Sequence, residues 1–197
     1  MTNIEKIKNI LEKNNGIIKA EDLNKENIAR HYLNLLQENG EIVKLDRGIY
    51  ARPDVWEDEM YILQAKYKKS IFSHETALYL HELTDRTPIY FRITIPNNYN
   101  PKNLKYENVK LNYAVNSLLE VGVTQMKTSF GNYIRCYDKE KTICDIIRNK
   151  ENENIEIFTV ALKMYVSRKD KDLQLLMKYA KILKIEKKVR EYMEILI

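Results

Sequence analysis

Five glycines are scattered through the 197 residues, and no two stand closer than eight positions apart. Loops that cradle phosphate need clustered glycines, because only glycine lets successive backbone N–H groups close on the ligand. The common nucleotide-binding signatures are therefore excluded. Cysteine is scarcer still. Cys136 and Cys144 are too few for a disulfide framework and lack the spacing of a zinc-binding C-x-x-C pair. Both are expected to be reduced, buried thiols. No stretch approaches the roughly 18–20 apolar residues of a membrane span, and MTNIEKIKNILEKNNG has no continuous apolar run of the signal-peptide kind. A cytoplasmic protein is expected. No segment rich in Pro, Gly or Ser marks a linker, and no repeat is visible.

A strong excess of one charge sign is missing too. The formal net charge is +5, a mild lean towards an anionic partner. Met1 to Trp56 carries nine Lys and Arg against nine Asp and Glu. Glu57 to Lys150 carries fourteen against eleven, and the remainder ten against eight. Any basic footprint in the first 56 residues must come from placement, not excess.

What is present is apolar material: 44% hydrophobic and 10% aromatic residues, enough for real cores. TNIEKIKNILEKNNG opens with Thr2 and Glu5 at capping-box spacing. Ile4, Ile7 and Leu11 then recur at helical intervals, and Gly16 supplies a stop. KAEDL is long enough for a short second helix, and IARHYLNLLQENG predicts a third ending at Gly40. Ala29, Leu33 and Leu36 share one of its faces; Arg30, Asn34 and Gln37 share another, flanked by His31. EIVKL and GIYAR then alternate as strands around a three-residue connection, Asp46-Arg47-Gly48, with Gly48 free for the left-handed position. This order is that of a winged helix-turn-helix over residues 1–55.

From residue 56 to 197 the pattern predicts an α+β domain with helices gathered at its end. DEMYILQAKY reads as a helix, SIFS as a short strand, and HETALYLHEL as a helix with Ser73 at its N-cap. In IYFRITIP, Phe91, Ile93 and Ile95 alternate with Tyr90, Arg92 and Thr94. NVKLNYAV, GVTQMKTS and GNYIRCYD follow as strands, then a helix capped by Asp138. Three further amphipathic helices, over about 155–167, 171–183 and 186–196, close a helical bundle.

The second part offers no convincing catalytic constellation. His74 and His81 lie two helical turns apart, about 10 Å, too far to share a zinc ion. Ser73 and His74 are adjacent, so a nucleophile–base pair is not expected, and the serine hydroxyl reads as an N-cap. Asp138 and Glu140 read as helix-start charges, and nothing in the sequence converges on Asp145. No cofactor, no metal and no enzymatic activity are expected.

Nucleic-acid contact is better supported. Arg30 can donate a bidentate pair to guanine and Asn34 to adenine, while His31 suits phosphate or base. Lys44, Arg47 and Arg52 lie on the hairpin, with Arg47 at its tip, where wing residues hold phosphates. The competing reading is a solvated helix face followed by an ordinary charged turn.

The segment GIIKAEDLNKENIARHYLNLLQENGEIVKLDRGIYARP resembles the N-terminal winged domain of AbiEi antitoxins, from abortive-infection type IV toxin–antitoxin systems. The matching features run from Ile18 to Leu23, through Ile28, Arg30, Leu33, Leu36 and Gly40, to Arg47-Gly48-Ile49-Tyr50. Asn27 stands where such domains often have glycine, and asparagine tolerates a left-handed backbone. SHETALYLHELTD, RITIP and YDKEKTICDIIR resemble the family's C-terminal antitoxin region. The resemblance implies an autorepressor that binds inverted repeats in its own promoter. It also implies a nucleotidyltransferase-like toxin as functional partner, without a stable complex, and a role in phage defence. The chain has no Gly-Ser followed by an Asp-x-Asp pair, so it does not itself resemble the toxin. The alternative is a winged domain that makes protein contacts only.

Overall fold

The computed structural model describes residues 1–99 and 108–196. The chain is mixed α+β with two sheets, and it divides into two compact units. One comprises Met1–Lys68 with Lys127–Ile134; the other comprises Lys69–Met126 with Arg135–Ile197. Among the described residues, no helix is long and apolar enough to cross a membrane.

The first unit begins with α1 (Asn3–Lys13). Its N-terminus is closed by the expected reciprocal cap: Glu5 N donates to Thr2 Oγ1 at 3.2 Å, and Thr2 N to Glu5 Oε2 at 2.7 Å. The helix stops where Asn15 and Gly16 turn left-handed, with φ of 51° and 79°. Then follow β1 (Ile17–Lys19), α2 (Ala20–Lys25), α3 (His31–Glu38), β2 (Val43–Asp46), β3 (Ile49–Ala51) and α4 (Glu59–Lys66). The strands form an antiparallel sheet in the order β1-β3-β2. Strand β1 is an element that the sequence pattern did not reveal: three residues are too few to display alternation.

Register decides what each face of this sheet covers. Ile18 and Lys44 both stand opposite Tyr50, so the three side chains share one face. There Ile18 joins Ile7, Leu11, Leu23, Ile28, Leu33, Leu36 and Ile42, the core under α1, α2 and α3, with Tyr50 packed against it. The other face presents Ile17, Ile49 and Ala51 to Ile62 of α4. Each large side chain buried this way contributes roughly 1.5–3 kcal/mol. A buried carboxylate completes the unit. Asp58 caps α4 by accepting from Tyr61 N at 3.0 Å, and it also takes Thr128 Oγ1 at 2.6 Å and Asn132 Nδ2 at 2.8 Å.

The second unit is built on β4 (Ile71–Phe72), α5 (His74–Leu80), β5 (Phe91–Pro96), β6 (Val109–Ala114), α6 (Asn116–Leu119), β7 (Val123–Lys127) and β8 (Tyr133–Tyr137). Its sheet order is β6-β5-β4-β8-β7, with β5 parallel to β6 and β4 parallel to β8. Strand β5 was expected to alternate between buried and polar faces. Instead Arg92 and Thr94 are buried like Ile93 and Ile95, because the strand is interior and covered on both sides. Arg92 is accommodated by Glu153, whose two carboxylate oxygens both lie 2.8 Å from its Nη1. The helices α7 (Lys139–Arg148), α8 (Ile155–Ser167), α9 (Leu173–Ile182) and α10 (Glu186–Leu196) close the chain. Ile143, Ile146, Phe158, Leu162, Leu176 and Val189 share their apolar core. Glu140 is no surface first-turn charge: buried, it accepts from Asp172 N at 3.0 Å and Tyr165 Oη at 3.3 Å, tying α7 to the α8–α9 junction.

Candidate functional site

Between α2 and α3 the chain turns at Asn27, whose φ is 54°, and Ile28 N donates to Leu23 O at 2.9 Å. Asparagine fills the left-handed position as expected. Helix α3 is shorter than its apolar spacing predicted. Arg30 is its N-cap, without a side-chain cap bond, and Ala29 is exposed because it precedes the helical turn. Leu33 and Leu36 are buried, which turns Arg30, His31, Asn34 and Gln37 outward. The His31 ring lies over Tyr32, centroids 4.1 Å apart.

The hairpin connection is Arg47-Gly48 alone. Asp46 belongs to β2 and pairs with Ile49, across an irregularity between Lys44 and Asp46. Gly48 has φ of 74°, and its carbonyl accepts from Ala20 N at 2.8 Å, fixing the tip against the start of α2. A side chain there would have to adopt a backbone that L-residues avoid.

Net charge conceals how the cations are disposed. Lys8 pairs with Glu41 at 2.6 Å, Lys25 with Asp22 at 3.0 Å, and Lys66 with Asp46 at 2.7 Å. Glu21 holds both Lys19 and Lys68. Among the described residues, the side chains of Arg30, Asn34, Lys44 and Arg47 take no hydrogen bond or ion pair, and all four are exposed. Lys44 projects from the sheet face that carries α3. The unit is neutral, yet among the described residues its cations without a partner include Arg30 at the α3 start and Lys44 and Arg47 of the hairpin, besides Lys6 and Lys13 of α1. Arg52 is placed differently. It pairs with Asp54 at 3.1 Å, and with Lys8, Glu12 and Leu36 it lines a cavity of about 300 Å³ beside α1.

In the second unit the structure corrects two readings. Ser73 makes no side-chain cap bond to α5. His74 has φ of 49°, which turns its ring back, so that Nδ1 lies 3.1 Å from Ser73 Oγ. Adjacency separates side chains only where the backbone is regular. Thr94 Oγ1 donates to the same serine oxygen at 2.9 Å, and all three groups are buried. Nor does Asp145 stand alone: Lys141 Nζ is 2.6 Å from its Oδ2. The signal in the sequence was an opposite-charge pair four positions apart on one helix. His81 points elsewhere, its Nε2 donating to Tyr137 O at 2.7 Å. Burial pushes the Cys144 thiol up to about 12 and Cys136 higher still; both cysteines are free and inert.

Burial also pushes His74 down to about 3; Arg92, Lys141 and Arg148 reinforce this, and Asp145 opposes it. The folded state therefore keeps His74 neutral where the unfolded chain takes up a proton near pH 6.5. The associated stabilisation is complete above pH 6.5 and is lost as pH falls towards 3, at about 1.4 kcal/mol per unit. Urea unfolding at pH 5 is expected to show about 2 kcal/mol less stability from this residue than at pH 7. In His74→Asn, whose side chain tolerates the left-handed backbone, that part of the slope should vanish. An unchanged profile would mean that the imidazole is protonated without unfolding.

The architecture is that of a two-unit α+β protein whose first unit places helix, turn and helix before a hairpin. Residues 5–53 match the family described as transcriptional regulator, AbiEi antitoxin. The resemblance expected from the sequence thus holds over α1 to β3. An antitoxin family implies a toxin as functional counterpart. No curated protein matches the chain. Among solved structures, the RV2827C protein from Mycobacterium tuberculosis is similar, with a TM-score of 0.58 and 12% identity, covering 92% of this chain and 72% of that one. At that identity the likeness is one of fold.

Proposed function

We propose that the first unit is a winged helix-turn-helix that binds promoter DNA, and that the protein is a non-enzymatic antitoxin repressing its own operon. The observation that carries this reading is the set of unmatched side chains on the α3 start and the β2–β3 hairpin, within the residues that match the regulator family. Helix α3 enters the major groove, where Arg30 and Asn34 read base edges and His31 contacts base or phosphate. Lys44 and Arg47 hold phosphates as the wing; Arg52 serves only once released from Asp54. The operator is an inverted repeat. The second unit, with α7 to α10 as its helical bundle, opposes a nucleotidyltransferase-like toxin of an abortive-infection type IV system without a stable complex.

Fluorescence anisotropy with DNA upstream of the gene, across a salt series, tests this. Arg30→Ala is expected to cost about 1–3 kcal/mol and to relax base preference. Lys44→Ala should weaken binding evenly across sequences and reduce the salt slope by about one. Equal affinity of wild type and Arg30→Ala would remove Arg30 from the interface. The neutral charge of residues 1–56 favours one alternative, a winged module for protein contacts. Absence of sequence preference at low salt would establish that reading instead.

A further inference from the structure

The second unit contains a cavity of about 200 Å³ whose lining includes His74, Asn112, Tyr113, Lys141, Asp145 and Arg148. Lys141, Asp145 and Arg148 stand at i, i+4 and i+7, one stripe of α7, while Ile143, Ile146 and Ile147 serve the apolar core. A buried ion pair is a poor source of stability, since apolar residues of similar volume do as well or better. A charged stripe on a helix buried along most of its length points to a ligand instead.

We propose that this cavity binds a small oxyanion that also carries a hydroxyl or amino donor. The lining holds two cations and one carboxylate, with His74 neutral, so its net charge is positive and suits an anion. Arg148 is exposed and has no hydrogen-bond or ion-pair partner among the described residues, whereas Lys141 and Asp145 are buried. The guanidinium therefore lies at the solvent end and meets the oxyanion. Asp145 Oδ1 takes no hydrogen bond among the described residues, although a carboxylate has room for several. It is the acceptor for the ligand's donor. At about 30 Å³ for each water in the liquid, the space holds six or seven waters, or a molecule of about ten heavy atoms. That suits a three-carbon hydroxy acid or the phosphate monoester of a three-carbon polyol, and it is too small for a nucleotide.

The test is calorimetry of the full chain at constant ionic strength with glycerol 3-phosphate, with glycerate, and with acetate as an anion lacking a donor. One of the two hydroxylated anions should bind below about 10 mM, the choice distinguishing phosphate from carboxylate. Acetate should not bind. Arg148→Ala should weaken binding about tenfold or more while leaving the melting temperature unchanged. Binding should also shift the His74 imidazole nitrogen resonances. Failure of both hydroxylated anions to bind, or equal binding by Arg148→Ala, overturns the proposal. None of these readouts involves DNA, so they stand or fall apart from the repressor reading.

Discussion

Replacing Lys141 with methionine is expected to destabilise the second unit by about 3–5 kcal/mol, a larger loss than any surface change in the protein. The Lys141 and Asp145 side chains are only 4% and 3% exposed, and Nζ sits 2.6 Å from Oδ2. The ammonium also lies 4.0 Å from the centre of the Tyr137 ring. Among the described residues Asp145 Oδ1 already has no hydrogen-bond partner, so removing the lysine leaves the whole carboxylate without one there. A buried charge without a partner pays its desolvation in full, or takes up a proton to escape it. The double replacement Lys141→Met with Asp145→Leu removes both charges and should recover most of the loss. Urea denaturation of wild type, both single variants and the double variant gives the coupling directly. A double variant as unstable as Lys141→Met would show that shape, not charge, holds this region.

Asp58→Ala is expected to lower the stability of the first unit by about 3 kcal/mol. The carboxylate does two jobs from one buried position. It caps α4 through Tyr61 N, and it accepts Thr128 Oγ1 and Asn132 Nδ2 from a hairpin seventy residues further along the chain. Loss of the cap alone costs about 1 kcal/mol. The remainder is the cost of leaving two buried donors without an acceptor. Asn132 also accepts from Asn15 Nδ2 at 3.0 Å, so the disturbance should reach the turn after α1. Thermal melting measures the loss, and hydrogen exchange at residues 127–134 locates it. Wild-type protection of those amides in Asp58→Ala would mean that the hairpin is held by its apolar contacts alone.

Local features of the sequence survived into the structure because their causes are local. The Thr2–Glu5 box, Gly48 at the hairpin turn, Asn27 in the left-handed region and Asp138 capping α7 each depend on residues within four positions. The periodic helices did too, since an apolar stripe must be covered by something, whatever that is. The candidate DNA-contacting residues were legible for the same reason: α3 has one buried face, so the opposite one is exposed. Their lack of partners was not legible. It follows from which lysine each carboxylate captures, and Lys66–Asp46 and Lys68–Glu21 are pairs made across the fold.

The sequence by itself determined the order of the longer helices and of the β2–β3 hairpin, the turns at Asn27 and Gly48, and the likeness to AbiEi regulators over that stretch. Beyond the β2–β3 hairpin, tertiary structure alone decided which strands pair, because period-two alternation says which residues share a face but not which strand lies alongside. It also set residues 127–134 with the first unit, an outcome of contacts across seventy positions. The polar cavity belongs to the same category. His74, Asn112, Lys141 and Asp145 converge only when α5, β6 and α7 are assembled. The signal that might have marked it, a backbone turned left-handed at a histidine, is set by packing and leaves no trace in composition or spacing.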